Sequence, residues 1–290
     1  MMAGRPLPLL IVAGLAFGCN FPLGKLAMAA GVNPALWAAV ICLGAGLTVL
    51  AAALAFEPAG PILGLYRYAA LSSLVSNVIP LVLTFSVIAE IGAGLTAILV
   101  ATSPITTALI STLLKVRPPS PWGLAGILVG LAGACLIVLA RQGGLGEGWS
   151  PYLLMAALIP VFLGAGNVYR TIAWPPGAGP LRLGAVINLA AVAPLLAIAW
   201  AWHGLDLAPL AAIPGLVAAQ LLASTIMYLV LFRLQAVGGP TYLSQIGYVA
   251  AVVAAAIGVG FLGERYPPMV WAGTAVVAAG IAITTLAQRR

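Results

Sequence analysis

Long apolar runs, cut by short polar breaks, make up almost the whole chain. The breaks read "GVNP", "FEPAGP", "AEIGAG", "KVRPPSP", "RQGGLGEG", "WPPGAGP", "HGLDLAP", "AVGGP" and "GERYPP". Each is rich in glycine, proline or charge, the residues that end helices. A bilayer-crossing helix needs about 20 mostly apolar residues. The breaks leave ten such lengths: 8–29, 34–56, 64–86, 92–114, 121–140, 150–170, 180–202, 212–233, 240–262 and 268–287. Loops this short force neighbouring helices to run antiparallel. The pattern predicts an all-α integral membrane protein with ten transmembrane helices in one membrane domain.

Composition excludes a soluble alternative. The chain is 63% hydrophobic and 6% charged, against about 25% charged residues in an average soluble domain. So few charges cannot cover a water-facing surface, so the solvent is lipid. The net charge of +7 does not point to nucleic acid, because the basic residues are scattered and form no stripe. They set topology instead. With the N-terminus in the cytoplasm, Arg5, Arg67, Lys115, Arg117, Arg170, Arg182, Arg233, Arg289 and Arg290 fall inside, and only Lys25, Arg141 and Arg265 fall outside. Both termini are therefore expected in the cytoplasm. The first run continues from Arg5 to about Ala30 without a cleavage-like boundary, and is read as a retained span.

Two halves, 1–145 and 146–290, resemble each other at an offset of about 147 residues. Gly92 lies over Gly239, Pro121 over Pro268, Gly126 over Gly273 and Gly133 over Gly280. "AVIC" at 39–42 echoes "AVIN" at 185–188, one residue out of step. Each half holds five helices. Five is odd, so the second half enters the membrane from the opposite side. The expected architecture is two five-helix inverted repeats, with a solute site near the midplane between them.

Polar residues within the spans are the candidates for that site. The offset matches Asn20 to Asn167, Ser73 to Gln220 and Asn77 to Ser224. Ser73 and Asn77 share a helix face, as do Gln220 and Ser224. Thr102, Ser103, Pro104, Thr106 and Thr107 interrupt the fourth span. Thr241, Gln245 and Tyr248 share a face of the ninth, and Tyr228 lies beside Ser224. An amide is costly to hide in hydrocarbon unless it has a partner or a function. Helix-joining hydrogen bonds, worth under about 2 kcal/mol each, are the competing use. The expected cavity-lining set is Asn20, Ser73, Asn77, Thr102, Ser103, Asn167, Ser224, Tyr228, Gln245 and Tyr248. Pro22, Pro80, Pro104 and Pro160 are the expected hinges. Gly14 with Gly18, and Gly126 with Gly130, are read as close-packing positions, and the tryptophans as interfacial anchors.

Other chemistries find no support. The three cysteines form no CxxC, and with one histidine they make no metal site. A phosphate loop is absent and no cofactor is expected. With no carboxylate deep in a span, neither hydrolysis nor a proton relay has a titratable group to use. The chain is not expected to be an enzyme. Lys25 and Arg170 are the deepest charges, and a phosphate clamp is not apparent. The expected partners are the lipid bilayer and a neutral or zwitterionic small-molecule solute.

These features resemble the ten-helix exporters of the drug/metabolite transporter superfamily, built from two copies of a five-helix unit. The "GCN" and "GAGN" turns, "TSPITTALISTLL" and "FLGERYPPMVWAGTAVVAAGIAI" carry the resemblance. Glu264 takes the family's glutamate position; in the first half Arg117 stands there instead. The resemblance implies a multi-pass carrier of a bacterial-type inner (plasma) membrane working by alternating access. It also implies amino-acid export, with the branch handling aromatic and other neutral amino acids the most similar. Efflux of drugs or lipophilic cations, and a non-transporting membrane scaffold or lipid scramblase, are the alternatives.

Overall fold

The computed structural model describes residues 6–58, 65–116, 120–142 and 150–288, and every regular element among them is helical. The order is α1 (Pro6–Ala29), α2 (Pro34–Phe56), α3 (Tyr66–Ser73), a π-helical segment Leu74–Val78, α4 (Ile79–Ile91), α5 (Ala93–Val100) and α6 (Ser103–Leu113). Then come α7 (Pro121–Gln142), α8 (Pro151–Ile172), α9 (Pro180–His203), α10 (Ala208–Ala212), α11 (Pro214–Phe261) and α12 (Pro268–Gln288). Arg5, Arg117, Glu147, Trp149, Arg289 and Arg290 lie outside the described residues. Seven stretches are long and apolar enough to cross a bilayer. Three shorter apolar stretches, Pro121–Ile137, Ile246–Phe261 and Pro268–Gly280, fall on the fifth, ninth and tenth expected spans.

Local chemistry explains most helix starts. Pro34, Pro151, Pro180 and Pro214 stand in first helical turns, where a missing N–H costs nothing. Asn33 caps α2, its Oδ1 accepting from the N–H groups of Ala35 (2.9 Å) and Leu36 (3.3 Å). The chain reverses after α4 through Gly92 at φ +91°, a conformation that suits only glycine at low cost.

Three expectations about the helices change. The third span runs to Ile91, with π-helical turns at its centre. The fourth is broken at Ala101–Thr102 into α5 and α6, just before Pro104. The expected separation of the eighth and ninth spans by a non-helical loop is wrong, because Pro214–Phe261 is one helix. The doubling back that such a loop implied is present nonetheless. Gln220 bonds Asn20, while Val253 packs on Gly18. A straight helix would separate Gln220 from Val253 by about 50 Å. Leu234 and Ile246 both pack on Leu9, Leu10 and Ala13. Helix α11 therefore folds back within the stretch holding Gly238, Gly239 and Pro240.

The two halves meet reciprocally at α7 and α12. A Cβ on Gly133 would sit 2.6 Å from Val277 N, and one on Gly280 would overlap Gly130 N. At the offset of 147, Val277 is the mate of Gly130 and Gly280 the mate of Gly133. The same contact is thus made twice, the mark of a two-fold relation between like surfaces. The main core runs between the helices of both halves and holds Trp37, Phe85, Leu95, Ile105, Ile127, Ile159 and Leu195. Trp37 is fully buried in it and is a packing residue, not the interfacial anchor expected. Phe56, Trp122, Trp200 and Phe261 face outward, as lipid contact requires.

Candidate functional site

Four polar clusters interrupt the apolar interior. The first joins α1 to α11. Asn20 Oδ1 accepts from Ser224 Oγ at 2.9 Å and from Gln220 Nε2, and Gln220 Nε2 also lies 2.9 Å from Ser224 Oγ. Asn20 Nδ2 donates back to the carbonyl oxygens of Ala16 (2.7 Å) and Phe17 (3.4 Å). Asn20 is 8% exposed, and Gln220 and Ser224 are 0% exposed. The amide of Asn20 is fully occupied in tying two helices together, whereas Gln220 Oε1 is buried without a partner.

The second cluster centres on Asn77 in the π-helical segment. Its Nδ2 donates to Asn188 Oδ1 on α9 at 3.1 Å and faces Cys42 Sγ on α2 at 3.9 Å. Asn188 Nδ2 donates to Gly184 O at 2.9 Å. Cys42 and Asn188 end the echoed "AVIC" and "AVIN" segments, so Asn77 reaches matched positions in both halves. Asn188 was not among the expected site residues. The echo pointed to it, but only as a register mark. Inserting one residue turns the helix by about 100°, and the extra turn residue of a π-bulge re-aims side chains in this way.

The third cluster surrounds Asn167. Its Nδ2 donates to Thr107 Oγ1 on α6 at 3.2 Å, and its Oδ1 accepts from Arg170 Nη2 at 2.5 Å. Thr106 Oγ1 donates to Pro160 O at 2.5 Å, beside Gly164, where a Cβ would lie 2.8 Å from Thr107 N. Tyr68 and Tyr228 neighbour Arg170, and Tyr228 packs against the core that holds Cys42. The second and third clusters thus approach one another at Tyr228. Tyr68 stacks on Tyr169 with ring centroids 5.9 Å apart.

The fourth cluster lies at the other end of α1. Glu264 accepts from Lys25 Nζ (2.6 Å), Ala93 N (2.6 Å), Gly94 N (3.1 Å) and the Tyr266 hydroxyl. Leu95 N in turn donates to Tyr266 Oη at 3.1 Å. One carboxylate from the second half thus caps the start of α5 in the first. A negative group is well placed at the positive end of a helix dipole. Burial raises the pKa of this carboxyl, but the bonds from Lys25, Tyr266, Gly94 and Ala93 outweigh it and hold it below the ordinary value. Glu57 does the same for α9, accepting from Leu181 N (2.7 Å) and Arg182 N (3.0 Å).

The expected residues therefore divide. Asn77 and Tyr228 lie in the neighbouring central clusters, and Asn167 adjoins them. Asn20 and Ser224 are together, but Asn20 does not meet Asn167. Ser73 bonds only its own helix, at Ala70 O, and Thr102 likewise at Leu99 O. Ser103 lends its carbonyl to Thr106 and Thr107. The Tyr248 hydroxyl is buried without a partner. The Gln245 side chain lies outside the described residues. Of the prolines, Pro80 follows the π-helical segment and Pro104 follows the break in the fourth span, while Pro22 and Pro160 lie inside continuous helices. A separate cavity of about 380 Å³ opens near Met28, Asn33, Phe85, Ser86 and Asp206.

Among the described residues no group of His, Cys, Asp and Glu is placed to hold a metal. No curated protein matches this chain. A solved crystal structure, 24% identical, aligns over 97% of this chain and 98% of its own with a TM-score of 0.64; it shares the fold. A family model fits the chain twice, over residues 5–139 and again over 150–286. Together with the reciprocal α7–α12 contact and the helices of crossing length, these two copies show that the chain belongs to the EamA-like transporter family, within the drug/metabolite transporter superfamily, and is a multi-pass membrane transporter of small solutes.

Proposed function

We propose that this carrier exports neutral amino acids, aromatic ones among them, and related metabolites by alternating access, without ion coupling. It would work in a bacterial-type inner membrane with both termini cytoplasmic. One observation carries the alternating-access reading. Asn20, Gln220 and Ser224 are bonded to one another, while their offset mates Asn167, Ser73 and Asn77 are bonded elsewhere. Inverted repeats that adopt unequal conformations close one side of the membrane and open the other. In the expected orientation the bonded triad lies in the outer half, next to the Lys25–Glu264 pair, while the mates, bonded to other partners, lie from the midplane toward the cytoplasmic side. This fits an inward-facing carrier with its outer side latched.

The substrate reading rests on the resemblance and on the polar groups available. Amides, hydroxyls and tyrosine rings of Asn77, Asn188, Tyr228 and Tyr68 suit a small zwitterion with an apolar side chain. Among the described residues, the carboxylates of Glu57, Glu90, Asp206 and Glu264 all stand at helix ends or in loops, which supports uncoupled transport. Counterflow of labelled phenylalanine and leucine into proteoliposomes tests the proposal. Uptake that survives dissipation of pH and sodium gradients is expected. No uptake across a panel of neutral amino acids would overturn the substrate class.

A further inference from the structure

Arg170 and Lys25 are the cations that the sequence sets deepest in the spans, and the structure treats them differently. Lys25 is neutralised by Glu264 at 2.6 Å. Among the described residues no carboxylate pairs with Arg170, and the only ion pair is that of Lys25. Among the described residues, the one hydrogen bond from the Arg170 guanidinium goes to a neutral amide oxygen, Asn167 Oδ1, and its Nε is buried with no partner. Glu57, an acid expected at the same end of the bundle, is occupied by the N–H groups of Leu181 and Arg182.

The guanidinium is also held in place. Asn167 donates to Thr107 Oγ1, so its amide oxygen faces the arginine, and Thr107 Oγ1 is itself anchored to Ser103 O at 2.7 Å. A cation so fixed, with donors left over, is a receptor for an anion. A guanidinium offers five N–H donors in a planar fork that matches a carboxylate. The C-terminal turn of α8 favours a positive charge only weakly, and this leaves the Nε donor unsatisfied.

We infer that Arg170 receives the carboxylate of the transported solute, so that the substrates are monocarboxylates, with the acid group directed at α8 and the body of the solute toward Tyr68, Tyr228 and the Asn77–Asn188 pair. The planar fork of the guanidinium matches the two oxygens of one carboxylate. This inference deepens the amino-acid reading and rests on it for the zwitterionic class.

Counterflow into phosphatidylcholine proteoliposomes, comparing phenylalanine with phenylalaninamide, tests it. Wild type is expected to prefer the acid by about tenfold or more, since a hydrogen bond to a charged group is worth that much. Arg170→Gln is expected to lose the preference, carrying acid and amide at rates within about twofold of each other. Arg170→Lys, which keeps the charge and loses the fork, is expected to fall between. An Arg170→Gln protein that still prefers the acid, or that loses both substrates equally, overturns the inference. Should that variant fail to accumulate, an unchanged acid preference in Arg170→Lys overturns it as well. Repeating the assay with phosphatidylglycerol added separates a solute carboxylate from a lipid headgroup. A preference erased by the anionic lipid makes Arg170 a headgroup anchor and overturns the inference. Failure of the amino-acid reading is visible separately. Wild type then carries neither phenylalanine nor its amide, yet phenylacetate, and not phenylacetamide, still raises the melting temperature of wild type and not of Arg170→Gln.

Discussion

Replacing Glu264 by glutamine tests whether a single side chain latches the two halves together. The carboxylate takes four donors: the Lys25 ammonium, the Tyr266 hydroxyl, and the backbone N–H groups of Ala93 and Gly94. Glutamine fills the same volume but offers one acceptor oxygen and a second group that is itself a donor. One N–H at the start of α5 therefore loses its acceptor, at about 1–3 kcal/mol for a stranded buried donor. Lys25 is 26% exposed and rehydrates, so its share is under about 1 kcal/mol. The expected loss is about 1–4 kcal/mol, read as a lower melting temperature in detergent. Lys25→Met combined with Glu264→Gln in a double-mutant cycle isolates the ion pair. The pH dependence has a definite sign. The folded carboxyl titrates below its ordinary value, so its contribution is complete above the unfolded pKa of about 4.3. It is lost as pH falls through the depressed folded value. The gap between wild type and Glu264→Gln should therefore close in acid. Equal melting temperatures at neutral pH, or a gap that widens on acidification, would refute the latch.

Further outcomes follow from the other contacts. Gly280→Leu should cost more than about 3 kcal/mol and prevent accumulation of folded protein, because a side chain there overlaps Gly130 N; Gly260→Ala, with open space around it, should melt like wild type. Asn188→Ala strands the buried amide of Asn77 and should destabilise by about 1–3 kcal/mol, and labelling of Cys42 by a small maleimide should speed up. Asn20→Ala removes the acceptor shared by Gln220 and Ser224, and should cost under about 2 kcal/mol while raising the accessibility of cysteines placed at position 220.

How far the sequence could be read depended on what kind of signal each feature left in it. Apolar length and proline punctuation marked the spans because every backbone group in lipid must be satisfied within its own helix. They misplaced one boundary: Gly238-Gly239-Pro240 was read as a loop, yet α11 carries the chain around without leaving the helical state. The glycines of α7 and α12 were readable as packing positions, since only a missing Cβ lets two backbones approach so closely. Side-chain partners were not readable. Asn20 and Gln220 are 200 residues apart, and Asn77 meets Asn188 across 111. Nothing local in the sequence specifies such pairs. Arg170 was classed with the topology-setting basic residues because its count on one side is visible and its lack of a carboxylate is not.

The pairing of Asn20 with Asn167 shows where the repeat argument holds and where it breaks. The offset placed both asparagines correctly in the first helix of their halves. It then set both among the residues lining one site between the halves. Mates in a two-fold arrangement make equivalent contacts, as Gly133 with Val277 and Gly280 with Gly130 do, and they touch each other only where they lie on the axis. Away from the axis, Asn20 should bond Gln220 and Ser224, and Asn167 should bond Ser73 and Asn77. The first set of bonds is present and the second is replaced by Thr107, Arg170 and Asn188. A carrier that must expose one side at a time has to break its own symmetry in any single state. On the alternating-access proposal, the second set should form when the first opens. A cysteine pair at positions 73 and 167 should then cross-link only under conditions that also make a pair at 20 and 224 resistant to cross-linking. If both pairs cross-link together, the two halves move as one and the proposed exchange does not occur.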